Sequence, residues 1–237
     1  MGRDLLARPQ GRIPPGLVMR LWREMIGAFT MQEGRLEAAV TCGKGGGDLW
    51  DIARDYYGSL TPLLPCPSAD RAIAAAAANR TQVAVVPLPA PRAARPWWRL
   101  FAKHSDLRVF ARLPFDERDS ARCNWRGNHT GGLAVARLDP EPTGDDHGLI
   151  LIHNPKPAQA AQLRAAITRR LKPVAVETDR DQTYWLVTMR GLVNHRMEEI
   201  SARLQFPGCR IYDCGGYAVP LGTTPRIKQR GSKKSSD

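Results

Sequence analysis

The chain has 237 residues, 43% of them hydrophobic, and a formal net charge of +12. That length carries one or two domains with cores of their own, and no apolar run reaches the roughly 20 residues that cross a bilayer. A pI of about 10.0 raises nucleic acid as a partner, but the Arg residues are spread along the whole chain, with neither a helix-turn-helix pattern nor an aromatic-basic signature, so attraction of a small polyanion is preferred.

In chain order, Ile13–Gly34 comes first. Pro14 and Pro15 suit a first helical turn, where no intrahelical N–H bond is lost, and Gly34 suits its end. Val18, Leu21, Met25 and Ala28 recur at helical spacing as one apolar stripe, and Gln32 continues it. A stripe ending in an amide either points at a ligand or caps a core at its wet edge. RLWREMIGAFTMQEG resembles the last helix of the all-helical chorismate mutases, and RDLLARPQGRIP resembles the end of the helix before it. That resemblance implies an isomerase turning chorismate into prephenate in aromatic amino acid biosynthesis. Gln32 would be its catalytic residue, hydrogen-bonded to the ether oxygen and a carboxylate of the substrate. Ala28 takes a substrate-contacting position that usually holds Ser. Such a site clamps two carboxylates and stabilises charge on the breaking ether bond without covalent chemistry. The family's Arg and Lys groups are missing from this stretch and are expected from a segment encoded upstream of Met1. The mutase fold builds its site from two chains and so implies a homodimer.

Residues 35–41 read as a short strand, followed by the run Gly43-Lys44-Gly45-Gly46-Gly47. Asp48 reads as the N-cap of a helix with Leu49, Ile52, Ala53 and Tyr56 on one side and Gly58 as its stop. Strand, glycine loop and helix N-terminus together can hold an anion, although no GK[ST] follows and Asp48 would repel it. A strand is expected at Leu60–Leu64, an alanine-rich helix capped by Ser68 and running to Asn79, and a buried strand at Val83–Pro89. Pro96–Leu100 opens another helix, and Asp106–Phe115 is the next strand. The alternation predicts an open α/β layer with a mostly parallel sheet. The glycine loop before a helix ending YYG, together with VAVVPLP, resembles the first lobe of prephenate dehydratase, which has a periplasmic-binding-protein-like fold. Leu88 and Pro89 stand where that family has Ile and Glu. In its Thr-Arg-Phe motif the resemblance makes Thr130 the substrate-contacting hydroxyl that helps the leaving group depart, with Gly131 and Gly132 in place of Arg and Phe. His129 beside it is read as a solvated loop residue.

Pro140–His147 is a polar linker. Beyond it the order is strand (GLILIHN), helix (Ala158–Leu171, with Ala161, Ala165 and Ile167 as inward candidates), strand, strand, helix capped by Asn194, strand. That is the βαββαβ plan of the ferredoxin-like class. GLILIHNPKP, VAVETDR and CGGYAVPL resemble an ACT regulatory domain. Glu177 matches that family's Glu, and Asn154-Pro155-Lys156-Pro157 stands in place of its effector loop. From Thr223 the chain is polar and basic, a disordered tail. The five cysteines are odd in number and include no CxxC pair. Cys209 and Cys214 are read as isolated thiols rather than a pair, with no metal and no cofactor expected, and the cytoplasm is the default compartment.

The expected architecture is therefore mixed α+β and α/β. A mutase-like helical segment spans 1–34, a dehydratase-like α/β lobe 35–139, an ACT-like ferredoxin-like domain 148–222 and a tail 223–237. This is the order of the bifunctional chorismate mutase/prephenate dehydratases. The partner implied is a small dianion, chorismate or prephenate, with neither nucleic acid nor membrane. A non-catalytic metabolite-binding remnant and a divergent prephenate dehydratase are the alternatives.

Overall fold

The computed structural model describes residues 13, 15–43, 47–90, 96–115, 131–154, 160–179, 182–193, 196–204 and 208–221. Its centre is a 9-stranded sheet. The first part holds β1 (Ala38–Thr41), β2 (Leu63–Cys66), β3 (Val83–Pro87), β4 (Arg108–Leu113) and β5 (Gly132–Ala136), in the spatial order β2-β1-β3-β5-β4. β1, β3 and β5 are buried along both faces, which explains their unbroken apolar sequence. Ala39, Ala84 and Val86 point into one core, against α3 (Ala69–Ala77), whereas Ala38, Val40 and Val85 point into another, against α2 (Gly47–Tyr57). Ser68 caps α3 as expected, accepting from Arg71 N–H at 3.3 Å. Helix α2 starts at Gly47, one residue before the expected cap, and β2 lies three residues later than expected. The expected helix at Pro96 is a 3-10 turn, Trp97–Ala102.

The expectation of a mostly parallel sheet is corrected. β1 pairs in parallel with β2 and β3, but β5 is antiparallel to both β3 and β4.

The second part holds β6 (Asp146–Asn154), α4 (Ala160–Arg170), β7 (Lys172–Asp179), β8 (Gln182–Arg190), α5 (Met197–Leu204) and β9 (Arg210–Ala218), in the sheet order β9-β6-β8-β7, all antiparallel. This is the split βαβ plan expected from the sequence. Leu163 and Ile167 are the inward residues of α4, whereas Ala161 and Ala165 are exposed. The larger side chains win the core because they bury more apolar area for the same backbone. Cys42, Cys66, Cys209 and Cys214 are all free thiols. Asn194, the Pro155-Lys156-Pro157 stretch and the tail lie outside the described residues.

The two parts share one sheet and one core. β4 and β9 run parallel and meet at Val109↔Gly215. Beneath that seam Trp97, Trp98 and Phe101 of the 3-10 turn pack with Leu149, Leu151 and Leu186. The other face of the second part is closed by α4 and α5 over Ile150, Ile152, Trp185 and Val187.

Arg137, just past β5, closes the end of α3. Its guanidinium donates to Ala77 O at 2.6 Å and Ala76 O at 3.3 Å, and it reaches the Asn79 amide oxygen and the Asp106 carboxylate. These are the carbonyls a helix leaves unpaired at its C-terminus, where a cation is also favoured by the dipole. Arg137→Ala is expected to cost about 2 kcal/mol, since charged hydrogen bonds on a half-exposed group are discounted by solvent. The check is a thermal midpoint lowered by about 4–8 °C.

Helix α1 (Pro15–Glu33) lies on α2. Here the expected stripe is corrected. Leu21 and Met25 are exposed, and the packed face is Met19, Arg23 and Gly27. Arg20 pairs with Asp55 at 3.3 Å, the Arg23 guanidinium sits 4.0 Å from the Tyr56 ring centroid, and the Glu24 carboxylate accepts from Ser59 N–H at 2.8 Å. That bond and the Ser59 hydroxyl hold the Glu24 carboxyl below its ordinary pKa.

Candidate functional site

In an open α/β sheet, ligands bind outside the carboxyl ends of the strands, where the strand order reverses. Here the chain leaves β1 for β2 on one side and crosses back to β3 on the other, so the switch point lies between β1 and β3. Three stretches meet there. The first is Thr41-Cys42-Gly43, leading toward α2. The second is Pro87-Leu88, leaving β3. The third is Gly131-Gly132, entering β5. Pro87 is in register with Gly132, and Leu88 N–H donates to Gly131 O at 3.1 Å. The three segments that resembled dehydratase in sequence are therefore neighbours in space.

The groups at this end are mostly committed. The Thr41 hydroxyl is buried and donates to Val85 O at 3.1 Å. Cys42 N–H donates to Cys66 O at 2.7 Å, and burial pushes the Cys42 thiol above its ordinary pKa, which keeps it protonated at neutral pH. The Leu49 side chain, buried in the first turn of α2, packs against Gly132, and Leu88 packs against Gly131. A Cβ on Gly132 would sit 2.5 Å from Leu49 Cδ1 and 2.9 Å from Val86 O, and one on Gly131 would sit 3.0 Å from Leu88 Cδ1. The Val86 backbone thus leaves no room for a side chain at Gly132, and Leu88 with Leu113 O crowds Gly131. Among the described residues, backbone N–H at the N-terminus of α2 is the group suited to an anion.

The sequence-derived residues fall in different places. Thr130, Asn128 and His129 lie outside the described residues, as do Lys44–Gly46. Gln32 is exposed on the last turn of α1, and Ala28 is half-buried four residues before it. Neither belongs to the switch-point cluster. Glu177 faces the first part of the molecule, paired with Arg99 at 3.1 Å. The Arg99 guanidinium also lies 4.3 Å from the Tyr184 ring centroid, and that ring stacks on His153 at 4.4 Å. Desolvation holds the His153 imidazole below its ordinary pKa, partly offset by its bond to Gln182. Sequence reading missed this stack because its members lie tens of residues apart. It also missed Thr41 and Cys42, although their place just before the glycine run was a usable signal. Among the described residues no three His, Cys, Asp or Glu converge on a metal-sized site, and no helix is long and apolar enough to cross a membrane.

No family profile and no curated protein matches the sequence. Solved structures do match in fold. A protein described as GqqA, a novel type of quorum-quenching acylase, aligns with a TM-score of 0.53 at 16% identity, over 82% of this chain and 98% of its own. The prephenate dehydratase of Staphylococcus aureus aligns at 0.52 and 11% identity, over 76% of this chain and 99% of its own. The prephenate dehydratase of Arthrobacter aurescens, solved with L-Phe, aligns at 0.51 and 13%, over 76% of this chain and 89% of its own. The chain therefore has a prephenate-dehydratase-like fold.

Proposed function

We propose that this chain is a divergent prephenate dehydratase, working at the switch point between β1 and β3. The observation that carries the reading is that the ends of β1 and β3 and the start of β5 at Gly131-Gly132 lie side by side at one end of a sheet of this fold. The reaction removes CO2 and the ring hydroxyl of prephenate, the latter as water, and leaves phenylpyruvate. Thr130, next to Gly131, donates to the departing hydroxyl. The N-terminus of α2 takes a carboxylate, and Leu88 keeps water from the ring. Such donors act by stabilising charge that develops in the transition state. The second part of the chain is an ACT-like module whose Glu177 meets the first part through Arg99.

The test is incubation of purified protein with prephenate, followed by chromatographic detection of phenylpyruvate. Thr130→Ala is expected to lower kcat by about 100-fold or more, as loss of one transition-state donor does, while Thr130→Ser stays within roughly tenfold. No phenylpyruvate from folded protein would refute the reading.

One observation favours a second reading. The neighbours of Gly131 and Gly132 are apolar, Leu88 beside one and Leu49 beside the other, which suits an uncharged acyl chain, and a protein described as a quorum-quenching acylase aligns in fold. Water would add across the amide of an N-acyl substrate, so such a substrate belongs in the same assay. The mutase reading rests on Gln32, which is exposed and apart from the cluster, and for that reason stands behind both. In an active mutase, Gln32→Ala would slow chorismate rearrangement by about 100-fold.

A further inference from the structure

Most of the large apolar side chains that stand exposed among the described residues belong to one element, α1: Leu17 at 48%, Leu21 at 57%, Met25 at 50% and Phe29 at 56%, with Ile26 and Met31 beside them. The cause is an inversion of the usual amphipathic helix. The polar residues Arg20, Arg23 and Glu24 lie on the side facing α2 and reach Asp55, Tyr56 and Ser59, Arg20 and Glu24 while still exposed. The apolar arc is left outside, with no element of this chain over it among the described residues. Such a face marks an interaction surface.

We propose that this face binds the same face of a second copy, the two α1 helices lying antiparallel about a two-fold axis. Three observations select that occupant. The first is spacing: Val18, Leu21, Met25, Ala28 and Gln32 follow the three-four alternation of a helix–helix seam. With the axis beside residue 23, Leu21 meets Met25, Leu17 meets Phe29 and Val18 meets Ala28, so these six seam residues oppose one another as apolar pairs. Gln32 then falls at the end of the seam, where water reaches its amide. The second is charge. Glu33 sits in the last turn of its own helix, the unfavourable end of the dipole, with no basic residue in that turn. An antiparallel copy brings its own positive N-terminal end over Glu33. The third is extent. The helix has 19 residues and is about 28 Å long. Leu17, Leu21, Met25 and Phe29, each about half exposed, run along most of that length and offer a second helix a continuous apolar strip. A lipid surface is the poorer occupant, because it calls for free cations flanking the apolar face, and Arg20 and Arg23 are both engaged.

The experiment is light scattering coupled to size exclusion on the full chain across a concentration series. The native protein is expected at twice the chain mass, and Leu21→Glu/Met25→Glu at the chain mass with unchanged circular dichroism. Leu138→Glu, at an exposed apolar residue outside α1, should stay dimeric. Glu33→Lys should weaken association several-fold. A native protein that is monomeric at every concentration overturns the proposal. So does a dimer that survives the double substitution, which would place the contact elsewhere. So does a monomer that floats with anionic phosphatidylserine vesicles and loses them on the double substitution. The proposal is independent of the chemistry at the switch point, and prephenate turnover by either oligomeric form leaves it unchanged.

Discussion

Gly215→Val is expected to unfold this protein at a midpoint about 10 °C or more below the native one, the largest stability loss of any single substitution considered. Two costs add. Gly215 has a φ of +81°, a conformation that costs an L-residue roughly 1–2 kcal/mol. A Cβ there would also lie 2.3 Å from Val109 O and 2.9 Å from Val109 N. Both are backbone atoms of the one registered β4–β9 pair, so no rotamer change relieves the clash, and overpacking adds about 1–3 kcal/mol. The seam must open. It carries the shared sheet, and the neighbouring Asp213 carboxylate would lose the N–H it accepts from Gly215 at 2.7 Å. Burial already raises the Asp213 pKa, and Arg108 lies 3.7 Å away. The sum is about 3–5 kcal/mol, read as a thermal or urea midpoint. A near-native midpoint would mean that the two parts hold together through the core under the 3-10 turn alone.

Gly27→Val is expected to release α1 from the body of the protein. The Cβ of any residue at 27 would stand 2.4 Å from Tyr57 O, at the end of α2. The α1 backbone approaches α2 that closely only because position 27 has no side chain. On the same line of contact, a side chain at Gly58 would come 3.1 Å from the Glu24 carboxylate. Losing the fit would separate Arg20 from Asp55 and Glu24 from Ser59, and would uncover Met19. Exposed ion pairs are worth little singly, so most of the expected loss, about 2–4 kcal/mol, is the clash and the uncovered packing. Hydrogen exchange should show fast exchange confined to α1, with the β-sheet still protected. Uniformly native protection in α1 would refute it.

What the sequence determined by itself was the run of elements. Unbroken apolar strands, Ser68 as a cap and the βαββαβ order are local patterns, set by side-chain period and turn chemistry within a few residues. The same local reading found the glycine loop, VAVVPLP and the Gly131-Gly132 step, all at the candidate site. Tertiary structure decided the rest, because it depends on which distant surfaces meet. Periodicity located an apolar stripe on α1 but could not say which face turns inward; the close approach at Gly27 and the polar contacts to α2 settle that against the stripe. Strand sequence could not tell that β5 runs antiparallel, or that β4 and β9 join two sheets into one, since Val109 and Gly215, which pair, lie more than a hundred residues apart. Nor could it tell that Leu49 and the Val86 backbone close the space at Gly132, which only the packed chain shows.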